Sequence, residues 1–148
     1  MKKRCPDSLA VGIAFLPCYR LTFPRFYEGW EWGGVASVEP CVSEEKKDAC
    51  GVWGVIYRIS EKDLERLDRY EHIEEGHYTR GIVSVEIEGE AVMEAVTYFA
   101  IPNTETPVPP SKLYMETIIR GAEAHGLPMR YIEKLKGIAT NTGANEET

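Results

Sequence analysis

Short apolar segments separated by proline and polar residues predict β-strands in the first part of the chain. Two short strands are predicted at 9–16 and 19–23, separated by Pro17-Cys18, because a central strand does not tolerate proline in its middle. A third strand begins at 35–39, and the β-branched apolar run at 52–59 suits a central strand. The chain therefore opens as a β-rich protein.

The period then changes to that of a helix. Ser60 is a typical N-cap, Asp63 is an acid at the third helical position, and Leu64, Leu67 and Tyr70 follow at helical spacing. These features predict one short amphipathic helix.

Alternation returns at 78–88 and again at 91–100, on either side of Gly89, which predicts a β-hairpin. A proline-rich connection at 102–110 ends this part of the chain. The sheet is therefore expected to be largely antiparallel.

Two helices are predicted after the hairpin. Ser111 caps the first, in which Tyr114, Ile118 and Ala122 share one face and which ends near His125-Gly126. Pro128 begins the second helix. Its candidate buried residues are Tyr131, Ile132, Leu135 and Ile138. The whole pattern predicts a single α+β domain at 1–139, a small, mixed, largely antiparallel β-barrel with flanking helices, followed by a disordered tail at 140–148.

Composition narrows the class of ligand. A chain of 148 residues can bury about 70% of its unfolded surface, so folding requires neither a metal nor a disulfide. The net charge of −7 argues against nucleic acid and against an anionic membrane surface as partners. No apolar run approaches the ~20 residues of a membrane span. A small molecule is the expected ligand.

The four cysteines are expected to be free thiols. The basic start lacks the apolar region and the cleavage site of a signal peptide, which predicts a reducing, cytoplasmic location.

Glu71 is the candidate general acid or base. It lies where the first helix should give way to a strand, beside Tyr70 and Ile73, and burial by apolar neighbours lifts the pKa of a carboxyl group toward neutrality. Other nearby acids lie among charges and are expected to be solvated: Asp63, Glu65, Glu74 and Glu75. Exposed glutamates are common, so an ordinary surface acid at a helix end is the alternative for Glu71.

A metal site is not predicted. His72, Glu75 and His77 lie close in sequence, but the histidines are five residues apart and no Cys-x-x-Cys or His-Glu-x-x-His pattern exists. No cofactor is expected.

An ordered set of short motifs resembles the gamma-glutamylcyclotransferase family over about Arg4 to Ile138. The set consists of Arg4-Cys5-Pro6-Asp7, Val11-Gly12, Tyr19-Arg20-Leu21-Thr22-Phe23, Val52-Trp53-Gly54-Val55-Ile56-Tyr57, Leu64 to Glu71, Gly76-His77-Tyr78, Pro110-Ser111-Lys112-Leu113-Tyr114, Gly121-Ala122 and Gly126-Leu127-Pro128. The resemblance implies a mixed β-barrel with an active-site pocket at its mouth. It also implies release of 5-oxoproline from gamma-glutamyl amides.

The resemblance implies two site residues. By position Glu71 matches the family's general acid and base. Tyr114 matches a tyrosine that hydrogen-bonds the ligand, although a core aromatic on a helix face is an equal alternative. Sequence does not identify the leaving group of the gamma-glutamyl substrate.

One family motif, the Tyr-Gly-Ser-Asn turn that holds the substrate carboxylate, does not occur in the 148 residues. The segment from Met1 to Pro6 resembles the end of the helix that follows that turn, so the gene product is expected to be longer. The alternative is a non-catalytic binding module that lost the turn. Trp30 and Trp32 suit either a homodimer contact or a lid over the substrate.

Overall fold

Strands and helices follow one another in the predicted order. The computed structural model describes residues 5–6, 8–26, 33–41, 50–87 and 92–140. The strands in these ranges are β1 (Leu9–Leu16), β2 (Tyr19–Phe26), β3 (Gly34–Pro40), β4 (Val52–Arg58), β5 (Tyr78–Ile87) and β6 (Val92–Ala100). The helices are α1 (Glu61–Tyr70), α2 (Lys112–His125) and α3 (Met129–Lys136). The predictions for Met1 to Arg4, Trp30, Trp32, Gly89 and 141–148 fall outside the described residues.

The strands form two antiparallel sheets, with the order β4-β1-β5-β6 in one and β2-β3 in the other. The two sheets meet where β3 passes β6, and there the backbone N–H of Ala100 donates to Ser37 Oγ at 2.9 Å. The prediction of a largely antiparallel α+β fold is confirmed. No closed barrel is seen among the described strands, so that part of the prediction stays unconfirmed.

Two hydrophobic clusters fill the fold. The larger cluster joins α2 and α3 to β2, and its buried members are Phe23, Met115, Ala122, Leu127, Tyr131, Ile132 and Leu135. The smaller cluster lies on the other face of the four-stranded sheet, with buried residues Ala14, Leu16, Val83 and Val85. Three of the four residues predicted to be buried in α3 are buried, and Ile138 packs against the cluster.

The helix ends follow the sequence signals. Ser60 Oγ accepts from the Asp63 N–H at 3.1 Å, and Ser111 Oγ accepts from the Tyr114 N–H at 3.0 Å. Gly126 closes α2 with a φ of 72°, a left-handed conformation that glycine adopts without strain. Both predicted N-caps and the glycine C-cap are confirmed.

Asp63 corrects the sequence analysis, because it is fully buried rather than solvated. Its carboxylate accepts from Arg66 Nη1 at 2.7 Å. An acid in the first turn of a helix also interacts favourably with the helix dipole. Tyr70, at the end of the predicted apolar face, is exposed.

The cysteines are a second correction, because Cys41 and Cys50 form a disulfide. Both residues flank the start of β2: the Cys41 N–H donates to the Cys18 carbonyl at 2.9 Å, and the Gly51 N–H donates to the Tyr19 carbonyl at 2.7 Å. The fold thus brings together two residues that are nine apart in sequence. Among the described cysteines, Cys5 and Cys18 take no part in a disulfide, as predicted.

Candidate functional site

Glu71 closes α1, in the predicted position between helix and strand. Its backbone N–H donates to the Leu67 carbonyl at 2.8 Å, and the residue is half-buried. A turn over 71–76 separates it from β5. The helix therefore fixes the backbone of Glu71 on one side, and the turn fixes it on the other.

Asp68, one helical turn before Glu71, fastens the end of α1 to the sheet. Its Oδ2 accepts from Arg80 Nη1 at 2.6 Å, and its Oδ1 accepts from the Tyr98 hydroxyl at 2.7 Å. Arg80 on β5 and Tyr98 on β6 are register partners. One carboxylate thus binds two neighbouring strands, and this bridge holds the last turn of α1 in place.

The phenol of Tyr98 stays neutral over the physiological pH range. Burial raises its pKa well above the ordinary value, and the hydrogen bond and negative charge of Asp68 raise it further. Arg80 opposes this effect, and the charge of Glu71 adds to it. Glu71 therefore lies close enough to Tyr98 for the two groups to interact electrostatically.

The turn after Glu71 has an unusual backbone and a histidine pair. His72 has a φ of 55°, which is uncommon for a residue other than glycine. Its Nδ1 lies 2.8 Å from Glu75 Oε2, and the rings of His72 and His77 are 5.0 Å apart. The hydrogen bond from His72 lowers the pKa of Glu75.

A depression of about 450 Å³ opens beside this turn. It is lined by Asp68, Arg69, His72, Ile73, Glu74 and Glu75. The depression adjoins Glu71, but Glu71 is not one of its lining residues. Within the described parts of the chain, no group of three His, Cys, Asp or Glu side chains could hold a metal ion.

Tyr114 lies in the first turn of α2, half-buried against the larger cluster. Its hydroxyl accepts from the backbone N–H of Ala36 on β3 at 2.8 Å. These contacts fit the core-aromatic alternative. A phenol that accepts one hydrogen bond keeps the capacity to donate another, so the role of Tyr114 toward a ligand stays a prediction.

The helices next to the two predicted site residues are each linked by a hydrogen bond to one strand of the β3–β6 junction. Tyr114 contacts Ala36, and the next residue, Ser37, accepts from Ala100 on β6. Ala100 is two residues beyond Tyr98, whose hydroxyl donates to Asp68 on α1. The helix α1, which ends beside Glu71, is therefore linked to β6, and α2, which carries Tyr114, is linked to β3.

Asp68, Arg80 and Tyr98 were missed by the sequence analysis. Arg80 and Tyr98 lie at equal separations from Gly89, so a hairpin centred on that glycine already predicts that they face each other. Their pairing is the signal that could have found the cluster.

Comparison with known proteins finds relatives over most of the chain. The model of the AIG2-like family matches residues 51–135, which include α1, the turn and the hairpin. The gamma-glutamylcyclotransferase of Mus musculus is 29% identical over 142 residues, which cover 93% of this chain and 71% of the relative. That of Bos taurus is 30% identical over 141 residues, with the same coverage.

A solved gamma-glutamyl cyclotransferase structure superposes with a TM-score of 0.84 at 27% identity, covering 97% of this chain and 82% of the other. The chain therefore belongs to the AIG2-like family, and the resemblance to the gamma-glutamylcyclotransferases that its motifs predicted is confirmed.

Proposed function

We propose that this protein releases 5-oxoproline from gamma-glutamyl amides, with Glu71 as the general acid and base. The observation that carries the proposal is the position of Glu71, half-buried at the end of a helix that Asp68 fastens to the sheet. The names of the relatives support the reaction class.

The reaction needs no group from outside the substrate except a proton carrier. Glu71 takes a proton from the α-ammonium of the glutamyl moiety, and the freed amine attacks the γ-carbonyl carbon. The ring C–N bond forms as the amide C–N bond breaks, and Glu71 returns its proton to the departing nitrogen. The ring nitrogen then gives up its second proton, which the released amine takes up to leave as an ammonium ion. Because attack is intramolecular, a pocket that folds the substrate back on itself accelerates the reaction through orientation and lowered entropy cost.

The neighbours of Glu71 suit a proton carrier. The Tyr98 phenol stays protonated, so it does not compete for the transferred proton.

The hydroxyl of Tyr114 is proposed to donate a hydrogen bond to the bound glutamyl group. Support comes from its place on the element that contacts β3 beside the β3–β6 junction.

The test compares Glu71→Gln with Glu75→Gln, an exposed glutamate in the same turn. Both variants and the parent are incubated with a panel of gamma-glutamyl amino acids and amines, and 5-oxoproline is measured by chromatography. Glutamine keeps the shape of Glu71 but cannot carry a proton, so kcat should fall by about 100-fold or more while KM changes little. Glu75→Gln should retain the parent activity.

The assay is run on the 148-residue chain and on the chain preceded by any in-frame residues encoded upstream of Met1. Absence of 5-oxoproline from both forms, or equal turnover by the parent and Glu71→Gln, would sink the proposal. Saturable binding of a gamma-glutamyl compound without turnover by either form would instead support the non-catalytic binding module.

Tyr114→Phe tests the second residue. If the hydroxyl binds substrate, KM should rise several-fold, in addition to any loss of stability from the Ala36 hydrogen bond. An unchanged KM in a less stable variant would show that the hydroxyl serves the fold alone.

A further inference from the structure

Three cysteines meet at one corner of the fold, away from Glu71. Cys41 ends β3 and is bonded to Cys50, which precedes β4. Cys18 lies in the β1–β2 turn as an exposed free thiol. The sequence therefore supplies a disulfide and a nearby thiol, the two reactants of thiol–disulfide exchange.

The backbone brings Cys18 opposite Cys41. The β2–β3 ladder pairs Tyr19 with Pro40, and just beyond that pair the Cys41 N–H donates to the Cys18 carbonyl at 2.9 Å. Because the Cα of Cys41 is one bond from its nitrogen and the Cα of Cys18 is two bonds from its carbonyl oxygen, this contact limits the separation of the two Cα atoms to roughly 7 Å. A disulfide spans Cα separations of about 4.4–6.8 Å, a range that this limit includes.

Cys41 thus has two partners within reach. Its Cα lies 6.3 Å from that of Cys50, the present partner. Cys18 is an exposed thiol, and it lies beside Cys41 in a turn where its φ is 66°. The fourth cysteine, Cys5, is fully buried and lies near the Asp63 carbonyl, so it is shielded from this chemistry.

We propose that Cys18, Cys41 and Cys50 form a thiol–disulfide exchange site. The Cys18 thiol loses its proton to solvent, and the thiolate attacks Cys41 Sγ. The Cys41–Cys50 bond breaks as the Cys18–Cys41 bond forms, and Cys50 leaves as a thiolate that takes up a proton. The number of thiols and disulfides is unchanged, so the step needs no external oxidant or reductant.

Exchange moves the disulfide bond from one pair of structural elements to another. In the first state the bond joins the end of β3 to the start of β4. In the second state it joins the end of β3 to the β1–β2 turn and releases the start of β4. The exposed thiol would then be Cys50 instead of Cys18.

The test identifies which thiol is free. Protein purified in air without reductant is treated at pH 8 with a limiting amount of N-ethylmaleimide, so that each molecule takes at most one label, and is then quenched in acid. Tryptic fragments 5–20, 26–46 and 48–58 carry Cys18, Cys41 and Cys50 separately, because Lys46 and Lys47 lie between the last two cysteines. Fragment spectra separate Cys5 from Cys18 within the first peptide.

In the parent, label should appear on both Cys18 and Cys50, and the molecules labelled at Cys50 should contain the Cys18–Cys41 linkage. In Cys18→Ser, Cys50 should stay unlabelled, whereas Cys5→Ser should behave as the parent. Label on Cys18 alone, equal labelling of Cys50 in Cys18→Ser and the parent, or a purified chain without a Cys41–Cys50 bond would each overturn the proposal.

Discussion

Replacement of Asp68 by asparagine tests whether the end of α1 is held to the sheet mainly by a hydrogen bond or mainly by an ion pair. Asparagine keeps the size of the side chain but removes its charge, and it has one acceptor oxygen instead of two. In the native protein one oxygen of Asp68 binds Arg80 and the other binds Tyr98. The substitution therefore weakens both contacts at once.

The two contacts differ in expected strength. A hydrogen bond between a neutral donor and a charged acceptor contributes about 1.5–3 kcal/mol. The ion pair between Asp68 and Arg80 has side chains 29% and 41% exposed. Pairs with this exposure contribute about 0–1 kcal/mol. The Tyr98 contact should therefore dominate, and the total loss in the free energy of unfolding should be about 2–3 kcal/mol.

Urea unfolding of double-mutant cycles separates the contributions. Asp68→Asn is combined with Tyr98→Phe in one cycle and with Arg80→Met in the other, and the coupling energies are compared. Glu39→Gln is the matched control, because it breaks an exposed ion pair with Arg20. We expect the control to lose less than about 1 kcal/mol.

A spectroscopic readout tests the same contact independently. In Asp68→Asn the pKa of Tyr98 should fall but stay above the ordinary value, because burial still raises it while the charged hydrogen-bond acceptor that raises it further is removed. The phenolate absorbance follows this change. A coupling energy for Arg80 equal to or larger than that for Tyr98, or a Tyr98 pKa that does not move, would refute the reasoning.

Three further predictions concern the core and the turn. Burial raises the pKa of Tyr131 to about 12 from 10.0, so the protonated phenol is favoured by folding and stability should fall as the pH rises between these values. Between pH 9 and pH 11 the free energy of unfolding from urea curves should fall by about 1 kcal/mol more in the parent than in Tyr131→Phe. Equal losses in the two proteins would contradict the burial argument. His72→Gly should be about 1 kcal/mol more stable than His72→Ala in thermal unfolding, because glycine adopts the left-handed backbone without strain, and the reverse order would exclude that strain. Ile132→Ala should lower the free energy of unfolding by about 3 kcal/mol, because this side chain is buried in the core. Ile82→Ala, at a position 68% exposed, should change it by less than about 0.5 kcal/mol. Similar losses at both sites would show that the core is misplaced.

Local signals in the sequence were sufficient for the order of the elements. The caps at Ser60, Ser111 and Gly126 depend on contacts within a few residues, so each could be found from residue type and spacing. The break at Pro17-Cys18 became a turn for the same reason.

Features that depend on distant residues could not be found in this way. Asp63 was expected to be solvated because its sequence neighbours are charged, but its burial is decided by tertiary packing. The Cys41–Cys50 bond depends on β2, which hydrogen-bonds both to the end of β3 and to the residue that precedes β4. For Glu71, sequence located the helix end, whereas the fastening by Asp68 required the register of the hairpin.

The left-handed backbone at His72 limits how this part of the chain can vary during evolution. Glycine, asparagine, aspartate and histidine tolerate that conformation, and β-branched residues resist it. A valine or isoleucine at position 72 would disfavour this left-handed backbone and so change the direction of the chain directly after Glu71. Homologous sequences that keep an acid at the position of Glu71 should therefore carry glycine or a short polar residue next to it. An acid followed by such a residue, one turn after an aspartate, is a pattern with which new sequences can be searched.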